Sequence, residues 1–126
     1  GIKISCVVDG KSLAFLDPVD LYAILGNALD NAVEGVSGFS DKTKRLIDLA
    51  VYTRNQFLVI TVSNPVEGEL QFLGGLPVTT KKDKGYHGFG LRSIRHTVKQ
   101  YGGHINVSVE HGTFLLKMII PLPKQA

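Results

Sequence analysis

The chain has 126 residues, 14 basic and 11 acidic side chains, one cysteine and no tryptophan. This length fits one domain of residues 1–126 with a core of its own, and 44% hydrophobic content argues against disorder. The lone Cys6 excludes a disulfide framework and any metal site built on paired cysteines, and a net charge of +3 is too mild to imply nucleic acid.

Gly1 to Val8 alternates apolar and polar residues and predicts a half-buried strand, followed by a turn at Asp9-Gly10 and a short extended run over Ser12–Leu16. Asp17-Pro18-Val19-Asp20 is a helix start. Asp17 can cap, Pro18 suits the first helical position, and Asp20 puts negative charge in the first turn. This helix should run to about Glu34, with Gly35 and Gly38 stopping it. Arg45–Val51 and Phe57–Val62 are two strands joined by a hairpin loop at Arg54-Asn55-Gln56, and Asn64-Pro65 should end the second. From Val66 to Tyr86 there is no periodicity. A stretch of some 20 such residues in a compact domain often forms a functional lid. Leu91–Tyr101 carries a helical apolar face, stopped by Gly102-Gly103, and Ile105–Val109 with Phe114–Ile120 form a closing hairpin. The order predicts an α+β two-layer sandwich, with strands paired mainly antiparallel and helices covering one face. No apolar run approaches the roughly 18 residues of a spanning helix, and no leader is visible, so a soluble chain in a reducing compartment is expected.

Two segments carry candidate chemistry. On the first long helix Leu21, Ile24, Leu25, Ala28, Leu29 and Ala32 share an apolar arc. Asn27 and Asn31 stack along its edge with Glu34 close by. An amide oxygen is a hard ligand that magnesium accepts, usually together with waters and substrate phosphates. From the helix alone, amides that satisfy local backbone groups or face water are the stronger account. The second segment, Gly85-Tyr86-His87-Gly88-Phe89-Gly90-Leu91, leads into the second helix, where unpaired amides and the positive dipole end favour phosphate. It is neither the dinucleotide G-x-G-x-x-G pattern nor a P-loop. A flexible turn and a solvated lysine run (Lys81, Lys82, Lys84) remain open readings here.

Taken together, these segments resemble the ATP-binding domain of sensor histidine kinases in the GHKL ATPase superfamily, nearest the branch of peptide quorum-sensing receptors. Leu21 to Glu34 is similar to that family's asparagine box and His87 to Ile94 to its second glycine box. Tyr101-Gly102-Gly103 and the run from Gly112-Thr113-Phe114 to Pro121 also match. The likeness covers nearly the whole chain, with the two long motifs about 60 residues apart in the right order.

The resemblance implies the Bergerat-type two-layer fold, with ATP and Mg2+ as cofactors. It implies Asn31 as the magnesium ligand, and Gly88, Gly90 and Leu91 as backbone positions receiving phosphates, with His87 and Phe89 in the same loop. Asn27 falls where related ATPases carry a water-activating glutamate. An amide cannot serve as that base, so hydrolysis should be weak. The first glycine box departs from its usual form: Asn64-Pro65-Val66-Glu67-Gly68 keeps only Gly68, and Asn64 stands where an aspartate receives the adenine amino group. An amide oxygen can still accept that hydrogen bond, without charge assistance. Thr113 matches a threonine that assists adenine binding. Residues 66–87 match the lid, with Lys81 among the lysines near the phosphates.

The implied activity is transfer of the γ-phosphoryl to a histidine on a separate dimerisation domain, with a response regulator as an indirect partner. None of His87, His96, His104 and His111 sits where that acceptor would. The domain would lie in the cytoplasm, without contacting membrane or nucleic acid itself, and the parent protein would be an integral membrane receptor. A standalone anti-sigma-type serine kinase, or a non-catalytic relative that signals by protein contact, is the alternative.

Overall fold

The structure is a computed structural model that describes residues 1–68, 70–78 and 87–124, with 87–89 described by their backbone alone. Five strands form the main sheet: β1 (Lys3–Val8), β2 (Leu46–Arg54), β3 (Phe57–Pro65), β6 (His104–Glu110) and β7 (Thr113–Pro121), in the order β1-β2-β3-β7-β6. Only β1 and β2 pair in parallel; the other three pairings are antiparallel. Helices α1 (Pro18–Ser37) and α2 (His87–Gln100) lie on one face, α1 against β3 and α2 against β6 and β7. The α+β two-layer sandwich read from the sequence is the observed architecture.

The pleat explains the core. Leu58, Ile60, Val62 and Asn64 of β3 alternate toward the helices, opposite Ile120, Met118, Leu116 and Phe114 of β7, and all eight are buried. From the other layer Ile24, Ala28, Ala32 and Val36 of α1 and Leu91, Ile94 and Val98 of α2 close on them. The i, i+4 spacing on α1 and the small Ala28 and Ala32 let that helix sit close to the sheet.

Helix α1 starts as the sequence indicates. The Asp17 side chain accepts a hydrogen bond from the Val19 amide, and Pro18 takes the first helical position. Tyr101, just beyond α2, reinforces this end: its hydroxyl accepts from the Asp17 amide at 3.0 Å and donates to Asp20 Oδ2 at 2.5 Å. The Asp20 bond holds the Tyr101 phenol above its ordinary pKa, because ionisation would remove the donated proton.

Five local expectations are corrected. First, β1 is not half-buried: every residue in it is exposed, including Val7 at 74%. It is the edge strand of the sheet, paired on one side only with β2. Second, Gly10–Leu13 is a 3-10 helix rather than part of an extended run. Third, α1 passes through Gly35 and ends at Gly38. Fourth, β3 continues through Asn64 and Pro65, which pair with Phe114 and Thr113. Strand residues alternate their N–H direction, and Val66 N bonds Gly112 O on the β7 side, so Pro65 lacks its N–H on the side where the pairing with β2 has already stopped at Asp48–Ser63. Fifth, the aperiodic stretch contains an ordered hairpin, β4 (Phe72–Leu73) and β5 (Leu76–Pro77), turning at Gly74-Gly75 with φ of 63° and 82°. Leu76 enters the core, and Arg95 Nη1 on α2 donates to Gly74 O at 2.8 Å.

Among the described residues, no helix is long and apolar enough to cross a membrane.

Candidate functional site

The site is organised along one flank of α1. Asn27, Asn31 and Gly35 are spaced four apart, so they stack on one edge of the helix, beside the buried stripe. Asn27 and Asn31 are half-buried. At the N-terminal end of this line α2 crosses close by: Asn27 Nδ2 donates to Ser93 Oγ at 3.4 Å. A Cβ added to Gly90 would lie 3.9 Å from Asn27 Cβ, its carbonyl oxygen and Oδ1. The glycine at 90 therefore brings the first turn of α2 against the asparagine without an intervening side chain.

Helix α2 begins at His87, not at Leu91, so the glycine segment is its first turn rather than a loop before it. The first four amides of a helix have no partner within it; here they belong to His87, Gly88, Phe89 and Gly90. They carry the positive end of the helix dipole beside Asn27. Leu91 contributes to the fold as well, since its side chain is 2% exposed in the core.

At the other end of the α1 line is Asn64, a polar side chain only 4% exposed. Its Nδ2 donates to the Pro65 carbonyl at 2.8 Å, and the amide rests on Gly35 of α1. Gly35 to Asn27 spans eight residues, roughly 12 Å of helix at 1.5 Å per residue.

The structure thus gathers Asn27, Asn31, Asn64, Gly90 and the α2 first turn around one helix flank. It does not bring Thr113 to Asn64. Thr113 pairs with Pro65, whereas Asn64 pairs with Phe114, so alternation puts Thr113 on the exposed face of the sheet. Gly68 lies beyond β3 with φ 75° and open space around its Cα. Lys81, Lys82, Lys84, Gly85 and Tyr86 lie outside the described residues, as do the side chains of His87 and Phe89 and much of the expected lid. Ser93 and Gly35 are participants that sequence reasoning missed. Ser93 follows Gly90 by three positions, a same-face helical spacing that could have flagged it. Gly35 was legible only as a helix stop.

A separate cleft of ≈ 140 Å³ lies between the β4–β5 hairpin and α2, lined by Leu73, Leu76, Pro77, Val78, Leu91, Arg92 and Arg95. None of the asparagines lines it. Among the described residues there is no group of three or more His, Cys, Asp or Glu side chains that could hold a metal. A cation at this flank would rely on amide oxygen, water and a ligand's own oxygens. Asn31, half-buried between the α2 first turn and Asn64, is of the right chemistry for that.

Comparison with known proteins agrees with this architecture. The family model described as "GHKL domain" matches residues 16–121. The chain therefore belongs to the GHKL domain family, and its fold is that of histidine kinase catalytic domains. One similar structure is the catalytic domain of histidine kinase ThkA, at 19% identity and TM-score 0.67, covering 95% of this chain and 77% of that one. The histidine kinase domain from the Erythrobacter litoralis EL346 blue-light activated histidine kinase aligns at 22% identity and TM-score 0.64, covering 96% and 55%. The Acinetobacter baumannii histidine kinase AdeS aligns at 14% identity and TM-score 0.64, covering 98% and 55%. The chain thus spans 55% of the length of these last two structures. No curated protein matches the sequence.

Proposed function

We propose that this chain binds Mg-ATP and acts as the catalytic domain of a two-component sensor histidine kinase, transferring the γ-phosphoryl to a histidine on a separate dimerisation domain. The observation that carries the reading is the flank of α1. It leads from a cluster of helix-start amides at Gly90 and Asn27, past Asn31, to a buried amide at Asn64. An anion-binding end and a hydrogen-bonding amide, roughly 12 Å apart along the helix, suit a nucleoside triphosphate laid along it.

In this reading each residue has a limited task. The amides of residues 87–90 receive phosphate oxygens, and Asn31 offers its amide oxygen to the magnesium ion, which supplies charge neutralisation on the triphosphate. Asn64 accepts a hydrogen bond from the adenine amino group. Asn27 binds Ser93 and orders the seam between the helices. Its amide cannot take a proton from water, which favours phosphotransfer over hydrolysis. Residues 66–87 form a lid, and Lys81 adds positive charge near the phosphates. Thr113 lies on the other face of the sheet from Asn64, so the adenine role that the resemblance implies for it is not part of this proposal.

The whole protein would be a membrane receptor with this module on its cytoplasmic side and a response regulator downstream. The family resemblance supports that setting. An anti-sigma-type serine kinase or a non-catalytic relative is the competing reading.

Titration of the purified chain with a non-hydrolysable ATP analogue, with and without magnesium, tests the proposal. Binding that strengthens with magnesium and loses that dependence in Asn31→Ala is expected. No binding at millimolar nucleotide would overturn both kinase readings and leave a protein-binding relative.

A further inference from the structure

An asparagine in place of a carboxylate creates a problem that a carboxylate does not have. Its two ends differ, one being an acceptor and the other a donor, and rotation by half a turn about the last side-chain bond exchanges them. A buried asparagine that reads a base must therefore be held in one orientation. Two features of this chain do that at Asn64.

The first is the Pro65 carbonyl. Asn64 Nδ2 donates to it at 2.8 Å, within a residue pair that is adjacent in sequence. A carbonyl only accepts, so the flipped amide would set two oxygens against each other, with Asn64 only 4% exposed and little water to relieve the conflict. The second is Gly35. A Cβ built there would lie 2.9 Å from Asn64 Nδ2, 3.6 Å from Cγ and 3.9 Å from Oδ1. The nitrogen end thus occupies the space that any other residue at 35 would fill, and Oδ1 is the end farther from that position. Gly35 lies in the last turn of α1, whose final residue is Ser37, and glycine there still has a lower helix propensity than alanine. Its position over Asn64 gives a physical reason for it.

We infer that Gly35 and the Pro65 carbonyl are positioning elements for base selection: together they fix the Asn64 amide so that Oδ1 is its reading face, making the site selective for a purine with a 6-amino donor. The inference rests on the nucleotide reading above but is separable from it. Neither Gly35 nor Pro65 touches the base. Both act through Asn64, and both are distinct from the phosphate and metal end of the site.

The variant Gly35→Ala tests it, because its added methyl group must push the amide off its present position while alanine favours the helix. Three measurements on the whole chain separate the outcomes. Thermal melting should show Gly35→Ala folded, with a midpoint no more than slightly changed. The Asn64 side-chain amide protons, followed by NMR without nucleotide, should exchange slowly in the parent chain and faster in Gly35→Ala. Affinity should be measured for ATP and for purine riboside triphosphate, which lacks only the 6-amino group. The parent chain should prefer ATP by about tenfold, the value of one well-formed hydrogen bond. In Gly35→Ala that preference should collapse to about one, with affinity for the 6-unsubstituted analogue little altered. A folded Gly35→Ala that keeps the tenfold preference and the slow Asn64 exchange overturns the inference and leaves nucleotide binding intact. A parent chain that binds neither nucleotide overturns the nucleotide reading and base selection with it.

Discussion

Gly103 gives a demanding test of the packing between the two layers. It follows α2, where its amide bonds Val98 O at 3.0 Å, and it starts the return into β6. A Cβ at this position would run into the Ile119 carbonyl oxygen of β7, and would lie 2.9 Å from Val98 Cγ1 and 3.0 Å from Ile120 Cγ1. Ordinary contact begins at 3.4 Å, so both side chains would have to give way by roughly half an ångström and the β7 backbone by more. Val98 and Ile120 are fully buried, and the obstructing oxygen is main chain, so little can rotate aside. Gly103→Ala should therefore cost about 3 kcal/mol, at the upper end of overpacking penalties. With a urea m-value of about 2 kcal/mol/M, the unfolding midpoint should fall by about 1.5 M with m unchanged. The neighbouring Gly102→Ala serves as a control. There the added Cβ meets only Pro121 Cγ at 3.9 Å, and the cost is that of an alanine at φ 77°, about 1–2 kcal/mol. A midpoint shift below about 0.3 M for Gly103→Ala, or a larger loss from Gly102→Ala, would refute the close approach of the α2 end to β7.

Two further outcomes follow from the same structure. Met118→Ala, at a fully buried position paired with Ile60 and Ile105, should lower stability by about 2–5 kcal/mol in the same urea titration. Tyr101→Phe should remove the bond to Asp20 and the support for the Asp17 amide, costing about 1 kcal/mol because the pair is partly solvent-exposed. Its pH dependence has a definite sign. The folded-state phenol pKa is raised, so the contribution is full below pH 10 and is lost as pH rises through the folded value; the parent and Tyr101→Phe curves should converge in strong alkali.

Much of this protein was legible from local patterns, because each of those patterns has a local cause. The cap at Asp17, the proline beside it, the period of α1 and the alternation of β3 and β7 depend on backbone chemistry within a few residues. The turn at His111-Gly112, with φ of 52° and 74°, is likewise written in its two residues. Asn27, Asn31 and the glycine segment could be singled out because their spacing is helical, and the family likeness joined them. What escaped was long-range. Gly35 reads as a stop signal until Asn64, distant in sequence, is seen lying against it. Thr113 matches a family threonine by motif alone, and only the register pairs it with Pro65 and puts it on the other face from Asn64. The alternation of β1 predicts burial, yet nothing in six residues reveals that the strand takes an exposed place at the sheet edge.

The sequence by itself therefore determined the main helices and strands, the two-layer class and the candidate site residues, since propensity, periodicity and capping act over one or two turns. The tertiary structure decided which of those residues meet. It set the first turn of α2 on Asn27, placed the Asn64 amide against Gly35 and the Pro65 carbonyl, and put Thr113 on the other face of the sheet. Those outcomes depend on strand register and on how closely a helix approaches a sheet, and both are fixed only when the whole core packs.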